Sequence, residues 1–496
     1  MSQAKSVAKG SLFIFLGSVL AAFFAYLTKL VLVRHLSVEE YGLFFSVLTF
    51  VLFLHVFVSL GLPAGLTRTI AKFRVGNQFG KIKSIIVGSF LIQISMALLV
   101  VVVLFFLRNY LAVHYFENEA ASWLLFGLSW YLPLNVFKKQ IKSLFNAFGN
   151  SFQYSLVKLL YNFFLLVIVF LGFFFFSGVQ VPLVGYLLSF VFVFFVLAVP
   201  VLKTFNIFKT LSDSFSSANK ELLLFSLPLL ITAVGSVFLS YFDTLLLTYF
   251  KSLADVGVYN IIYPTAFLLT LVGGAVATAL FPVITSLWES GKKKEIERAL
   301  SQVYTYVFAA SLPLIVLLSF LAEDIIRIFF GPDYLVGTVA FIILVSGSIF
   351  KILFTIQQRL LLAFGRSSST MRVYLLGSVL NIILNILVIP LFGIIGAAST
   401  TIFSFLIMVL YSSYIIRKDI SFSFPYWKIC LMIICTGIIP IALFFVQLLP
   451  INIYISTILG VFFGLALYAL LIFSFNIVRL RELTILLSLE RFFRRK

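Results

Sequence analysis

The chain has 496 residues, of which 62% are hydrophobic and only 11% are charged. A water-soluble domain is closer to half apolar and a quarter charged, so this composition excludes an ordinary soluble protein. The net charge of +19 does not indicate nucleic-acid binding, because the basic residues lie in short segments between apolar runs and not on one stripe.

Apolar runs recur along the whole chain, most of them about 18 to 25 residues long, which is enough for a helix to cross a hydrocarbon core of about 30 Å. They predict an all-α polytopic membrane protein with about 14 transmembrane helices. The predicted spans, in chain order, are 11–33, 41–63, 84–107, 120–137, 153–176, 180–202, 222–250, 257–287, 300–321, 336–358, 372–391, 394–416, 427–448 and 452–474.

The last segment, 476–496, mixes Leu, Ile and Phe with several Arg and Lys residues. This mixture predicts a basic amphipathic helix on an anionic membrane surface. If both termini lie in the cytoplasm, most basic residues fall at cytoplasmic helix ends, and the outer loops hold acids such as Glu39, Glu117 and Asp324. The charge bias therefore predicts a multi-pass protein of a cytoplasmic membrane with both termini cytoplasmic.

The chain also repeats itself at an offset of about 215 residues. Three pairs of local matches share this offset: Gly42 and Gly257, Gly76 and Gly291, and Ala147-Phe148-Gly149 with Ala363-Phe364-Gly365. Because the repeat covers six spans, both halves enter the membrane from the same side, which makes the repeat parallel. The predicted domains are a six-helix bundle over 1–210, a second over 211–420, helices 13 and 14 over 421–475, and the C-terminal helix over 476–496.

Ionisable side chains inside a bilayer are costly unless they face protein or water, so they are the first candidates for a site. Four stand out in the predicted spans, Lys29, Lys158, Asp243 and Lys351, and Arg359 directly follows the tenth span. Polar side chains at helical spacing accompany them. These are Ser236 and Ser240 before Asp243, Thr355 and Gln358 after Lys351, and Asn381 and Asn385 in span 11. The stripes indicate a water-filled cavity between two bundles, or else polar residues that pack helices together.

Three interpretations of Asp243 are open at this stage. It lies at a depth similar to that of Lys29 and, under the repeat, corresponds to the residue beside it, so the two could pair as a gate. Asp243 could instead bind a coupling proton or sodium ion, or be a buried acid satisfied by hydroxyl groups. Lys158 has two interpretations, a cavity lysine or one that extends to the membrane interface.

The sequence carries no signature of covalent catalysis. Its three histidines have no metal-binding spacing, and no Walker loop, HExxH, GxSxG or CxxC motif is present. We therefore expect no enzyme activity and no cofactor, apart from coupling to a sodium ion or proton. We also expect no nucleic-acid partner.

Several stretches resemble one family in order and spacing. They are Arg34 to Phe44, Gly61-Leu62-Pro63 with Thr67-Arg68, Leu280-Phe281-Pro282 before the basic Gly291 to Glu295, Leu361 to Arg366, and Asn385 to Pro390 with Gly396-Ala397-Ala398. Together they resemble the Wzx-type polysaccharide exporters, which are flippases for lipid-linked oligosaccharides. These belong to the multidrug/oligosaccharidyl-lipid/polysaccharide (MOP) exporter superfamily. The resemblance covers nearly the whole chain.

The resemblance implies a V-shaped, MATE-like pair of six-helix bundles with two extra helices. It implies flipping of a polyprenyl-phosphate- or diphosphate-linked oligosaccharide from the inner to the outer leaflet by alternating access, for surface polysaccharide or glycan assembly. Membrane lipids and other polysaccharide-assembly proteins are the implied partners. For such a cargo we expect Lys351 and Arg359 as inner phosphate contacts and Lys29 as an outer one, with Lys158 a further cation.

Three other functions are considered. A cation-coupled multidrug-type antiporter would use Asp243 as its coupling site, but the spans hold more lysine than acid, which favours an anionic cargo. A membrane glycosyltransferase or ligase would need catalytic acids in a large outer loop, which the sequence lacks. A non-transporting scaffold for polysaccharide assembly would not need a charged interior.

Overall fold

The computed structural model describes residues 3–205, 215–421, 424–449 and 452–478. Within these residues every regular element is a helix. The chain forms two compact units, one of residues 1–261 with 381–397 and one of residues 262–380 with 398–496.

The first unit is built from ten helices and one later segment. The helices are α1 Gln3–His35, α2 Val38–Ser59, α3 Leu62–Val75, α4 Phe79–His114, α5 Ala120–Ser129, α6 Tyr131–Ala147, α7 Ser151–Gly172, α8 Gln180–Thr204, α9 Phe215–Phe250 and α10 Leu253–Ala266, of which the last residues belong to the second unit. Their apolar faces pack on one another, and one core cluster joins α3, α4, α6 and α9 around Leu66, Ile70 and Ile82. Gly61, at a positive φ of 70°, ends the connection between α2 and α3.

The second unit contains the remaining helices. They are α11 Thr270–Glu289, α12 Lys293–Phe320, α13 Ala322–Phe329, α14 Thr338–Ala363, α15 Ser367–Arg417, α16 Tyr426–Thr436, α17 Ile438–Gln447 and α18 Ile453–Ser474, with 3-10 turns at Phe267–Leu269 and Pro332–Gly337. A buried glutamine joins three of its segments: the amide of Gln357 donates to Ser413 Oγ at 2.8 Å and to the hydroxyl of Tyr304 at 3.4 Å.

The number of membrane spans agrees with the prediction of about 14. Among the described residues, 12 helices are long and apolar enough to cross a membrane, and the bent pair Leu253–Leu269 with Gly273–Glu289 makes 13. Helix α15 has 51 residues, about 76 Å of helix, which is more than twice the hydrocarbon thickness. Division of α15 into two spans gives 14.

Helix α15 is a helical hairpin that turns at Gly393. Gly393 has φ 53° and ψ −130°, a combination that interrupts the helix and favours glycine. A Cβ added at Gly396 would lie only 2.9 Å from the carbonyl oxygen of Val388. In a straight helix two residues eight apart are separated by about 12 Å, so the chain folds back on itself here. Further along, Gly377 packs against the side chain of Met408. Spans 11 and 12 are therefore present, as predicted at 372–391 and 394–416.

Three other predictions concern organisation. The packing units divide at residue 261, and residues 381–397 of α15 belong to the first unit. The repeat instead predicts boundaries at 210 and 420. Because the units are defined by contacts and the repeat by sequence spacing, the repeat-based domains and the V-shaped arrangement stay predictions. The predicted basic C-terminal helix lies outside the described residues from residue 479 onward.

The repeated loop has a repeated local structure. Ser37 and Glu40 bond each other's backbone amides at the start of α2, as a capping box with distances of 3.2 Å and 2.9 Å. Ser252 and Asp255 do the same at the start of α10, at 3.2 Å and 3.3 Å. Such reciprocal bonds satisfy amides that the first helical turn leaves unbonded.

Helices α2 and α10 approach each other through glycine. A Cβ at Gly42 would meet the carbonyl oxygen of Leu253, and one at Gly257 would meet that of Val38. Both obstacles are backbone atoms, which cannot rotate away as a flexible side chain would.

We expect Gly42→Ala to lower the free energy of unfolding by about 1–3 kcal/mol, because the added methyl forces α2 and α10 apart. Thermal unfolding of the purified protein in detergent measures the loss. The matched control is Gly274→Ala, since Gly274 is also helical but has open space around it. Equal losses in the two variants would show that helix composition, and not the close approach, causes the effect.

Candidate functional site

Asp243 lies at the centre of a buried polar cluster in the first unit. Its side chain, on α9, is only 4% exposed. The Tyr259 hydroxyl, on α10, donates to Asp243 Oδ2 at 2.7 Å, and the Asn385 amide, on α15, donates to Oδ1 at 2.6 Å. Asn385 also donates to Asn381 Oδ1 at 3.1 Å. Three helices therefore place a carboxylate, a phenol and two amides together.

Lys29 joins the same part of the first unit from α1. Its ammonium donates to the backbone carbonyl of Asn260 at 2.9 Å and lies 4.8 Å from the centroid of the Phe45 ring. The Asn260 amide lies 3.4 Å from Thr244 Oγ1, the residue after Asp243. Lys29 and Asp243 therefore bond to consecutive residues of α10.

These contacts bear on the three interpretations of Asp243. Tyr259 and Asn385 donate to both carboxylate oxygens, as expected of a buried acid satisfied by neutral donors. The ammonium of Lys29 donates to a carbonyl group. The gate and the ion-coupling roles stay predictions.

Lys351 lies in an aromatic cage in the second unit. Its ammonium is 3.8 Å from the centroid of Phe267, 5.2 Å from that of Tyr263 and 5.3 Å from that of Phe405. The hydroxyl of Tyr263 lies 3.5 Å from the same nitrogen. Aromatic faces attract a cation through their quadrupole, so the cage stabilises the charge of Lys351.

Arg359 and Gln358 lie further along α14. Arg359 is eight residues beyond Lys351, about 12 Å along the helix axis, and its side chain is exposed. Gln358 precedes it and is half-buried. Lys351 and Arg359 are therefore separated by about two turns of α14.

The predicted serine and threonine stripes bond to their own helices. Ser236 donates to the carbonyl of Ala233, and Ser240 to that of Ser236, each at 2.8 Å. Thr355 donates to the carbonyl of Lys351 at 2.8 Å. Such back-bonding satisfies the hydroxyl without a partner helix. Only Ser240 of these three is exposed.

Sequence reasoning missed the residues that hold the charged groups. The Tyr259 hydroxyl donates to Asp243, and the backbone carbonyl of Asn260 accepts from Lys29. The only sign of these two residues in the sequence is that they form a polar pair inside an apolar run. Lys138 directly follows the predicted span 120–137, but it lies within α6 and contacts aromatic rings. Lys158 is exposed on α7.

Two families match the sequence. The family described as "Polysaccharide biosynthesis protein" matches residues 7–288, more than half of the chain. The family described as "MatE" matches residues 228–387. The two matches overlap in α9, α10 and α11.

Three curated relatives match the chain. The chain is 29% identical over 507 residues to "Uncharacterized membrane protein MJ1068" of Methanocaldococcus jannaschii, which covers 98% of this chain and 99% of the relative. It is 26% identical over 267 residues to "Probable low-salt glycan biosynthesis flippase Agl15" of Haloferax volcanii, covering 54% of this chain and 56% of the relative. It is 27% identical over 241 residues to "Probable flippase AglR" of the same organism, covering 48% and 50%. The chain thus matches about half the length of each flippase.

Solved structures share the fold. "Lipid II flippase MurJ, inward closed conformation" superimposes with a TM-score of 0.77 at 18% identity, over 94% of this chain and 100% of that chain. An inward-facing "multidrug resistance MATE family transporter of the MOP superfamily" has a TM-score of 0.62 at 15% identity, over 80% and 95%. The predicted all-α membrane fold is therefore confirmed, and the family match at residues 7–288 confirms the predicted relation to polysaccharide exporters.

Proposed function

The chain belongs to the polysaccharide biosynthesis protein family, and from that premise we propose that it flips a lipid-linked oligosaccharide across its membrane. The cargo is a polyprenyl-phosphate- or diphosphate-linked oligosaccharide, moved from the inner to the outer leaflet by alternating access. Its product serves surface polysaccharide or glycan assembly. Two Haloferax volcanii relatives whose names describe flippases support this proposal.

The observation that carries the proposal is the presence of two lysines, Lys29 and Lys351, inside spanning helices. Lys29 contacts a carbonyl and a phenylalanine ring, and Lys351 contacts the rings of its cage. Placing a cation in the membrane is costly, and such residues usually mark the path of a substrate. A phosphate group supplies the opposite charge and accepts strong hydrogen bonds from an ammonium.

The remaining parts of the cargo need no covalent chemistry. Polar side chains such as Gln358 and Ser240, which are half-buried and exposed, can hydrogen-bond sugar hydroxyls, while the polyprenyl tail stays among lipids. Transport then consists of binding, reorientation and release, without bond cleavage. We place the protein in the cytoplasmic membrane with both termini cytoplasmic, as the charge bias indicates. Other polysaccharide-assembly proteins are the expected partners.

We further propose that a cation drives the cycle through Asp243. A carboxylate, a phenol and two amides form an oxygen-rich group of the kind that a hard cation such as a sodium ion prefers. Asn381 Nδ2 is buried without a hydrogen-bond partner, so the present amide orientation leaves this group incompletely satisfied. A bound cation would favour amide oxygens turned toward Asp243. A proton on Asp243 is the other candidate.

A second function is a cation-coupled multidrug-type antiporter. The match of the MatE family to residues 228–387 favours it, because that range contains Asp243. Organic cations would be repelled by Lys29 and Lys351, whereas anionic cargo would be attracted. The charge of the transported molecule therefore separates the two functions.

The first experiment measures flipping in proteoliposomes. A polyprenyl-diphosphate oligosaccharide with a reporter sugar is scored for leaflet exposure by an impermeant enzyme. Wild type should expose the reporter. Lys29→Met should slow exposure by about tenfold, because the phosphate loses a charge-assisted hydrogen bond. The matched control is Lys81→Met, a lysine of the same unit that lies over a single ring, Phe73, outside the candidate site.

The outcomes separate function from site. Equal rates for wild type, Lys29→Met and Lys81→Met would keep the function and remove Lys29 from the site. If wild type flips no such lipid but exports organic cations against a sodium or proton gradient, the antiporter replaces the flippase.

A further inference from the structure

Lys138 forms a second aromatic cage, in the first unit. Its ammonium lies 3.9 Å from the centroid of the Tyr161 ring, 4.7 Å from that of Phe190 and 5.7 Å from that of Tyr131. These rings come from α7, α8 and α6. Lys138 is half-buried in the span Ala120–Ala147, nine residues before its end. The cage thus holds a cation well inside a spanning helix.

Three more lysines surround Lys138. Lys139, Lys142 and Lys158 lie close enough to repel its charge. Lys142 is one helical turn away and lies 4.6 Å from the centroid of Tyr154, and Lys139 Nζ is 3.3 Å from Nδ1 of His55. Within the described ranges, none of the four forms an ion pair. Because like charges at short range repel one another, an anion bound among these lysines would be strongly favoured.

The two caged lysines have related positions in the repeat. Lys138 lies in the fourth span and Lys351 in the tenth, six spans later. Phe190 of the first cage and Phe405 of the second are 215 residues apart, the offset of the repeat. In each unit a lysine therefore lies over a ring from the same half of the repeat. A role common to Lys138 and Lys351 explains this correspondence better than local packing around Lys138 alone.

We propose that Lys138, with Lys139, Lys142 and Lys158 beside it, is a phosphate-binding site for a diphosphate-linked lipid. This inference rests on the proposed function and adds a second cationic contact for the cargo. Ring faces are weak partners compared with a phosphate oxygen, so the flexible lysine stem can exchange the rings for the anion. After release, the cage holds the charge again without an acid that would compete with the cargo.

The test measures binding apart from transport. Farnesyl diphosphate is titrated by calorimetry into the full-length protein in dodecyl maltoside, a detergent without phosphate. Lys138→Met, which keeps the unbranched side chain between the rings but removes the charge, should raise Kd about tenfold or more. Lys138→Arg should stay within about threefold, because the charge and phosphate-binding capacity remain. Lys81→Met should bind like wild type.

A second measurement uses the wild-type protein alone. Farnesyl diphosphate should protect Lys138 from an amine-reactive reagent, followed by mass spectrometry, and leave Lys81 unprotected. Inorganic diphosphate should compete for the site. If phosphatidylglycerol protects Lys138 equally well, the site holds a bulk-lipid headgroup and the assignment to cargo is overturned. Unchanged Kd in Lys138→Met, or no protection, would also overturn the inference.

These results are distinguishable from failure of the proposed function. If wild type flips the reporter lipid and Lys138→Met binds and flips equally well, only the inference fails. If binding depends on Lys138 but wild type flips nothing, the phosphate site stands and the flippase is wrong.

Discussion

Lys351→Ala should slow flipping of the reporter lipid by about 10- to 100-fold, the range expected when a charge-assisted hydrogen bond to phosphate is lost. The ammonium is held 3.8 Å from the Phe267 centroid and is the charged centre of its cage. Alanine removes both the charge and the stem, so the phosphate loses this donor. The proteoliposome assay, with an impermeant enzyme as reporter, measures the rate.

A graded series tests whether the cage matters as well as the charge. Phe405→Leu keeps Lys351 but removes one ring, 5.3 Å from the ammonium, and should cost less than Lys351→Ala. Lys351→Arg should retain more activity than Lys351→Ala because its charge remains. Wild-type rates in Lys351→Ala, at equal protein per vesicle, would remove this lysine from the cargo site.

Asp243→Ala should lower the free energy of unfolding by about 2–5 kcal/mol, because two buried donors lose their acceptor at once. The hydroxyl of Tyr259 and the amide of Asn385 both donate to the carboxylate, and water has little access to a side chain that is 4% exposed. Thermal unfolding in detergent measures the change. Ser240→Ala is the control, since its hydroxyl is exposed and bonds its own helix.

The same cluster yields a direct test of ion coupling. If sodium binds at Asp243, replacing choline chloride with sodium chloride should raise the Tm of wild type but not that of Asp243→Asn, which keeps the shape and loses the charge. A Tm of wild type that does not depend on sodium would exclude a sodium site and leave proton coupling or a structural role.

The fold could be predicted largely from sequence because membrane insertion depends on the summed hydropathy of about 20 neighbouring residues. That sum identified the spans, including the two that α15 joins at Gly393. The sequence could not predict the partner of Asp243. The repeat suggested Lys29, whereas the contacts run through Tyr259 and Asn260, whose orientation depends on how α1, α9 and α10 pack.

Lys138 shows a different limit. A basic residue after an apolar run normally marks the end of a span, which is why the predicted fourth span ends at residue 137, just before Lys138. Its aromatic partners come from α7 and α8, more than 20 residues away in sequence, and no local pattern joins them. Contacts between a cation and rings on other helices become visible only with the packing.

The turn at Gly393 also determines how this part of the chain can enter the bilayer. Between Arg372 and Arg417 the sequence contains no charged residue, and the turn has no polar loop that a ribosome-bound translocon would have to transfer across the membrane. The two halves of α15 should therefore insert together as one hairpin, with sidedness set by the arginines at its ends. An epitope or glycosylation tag inserted at Gly393 would impose a hydrophilic loop and should block insertion of the pair.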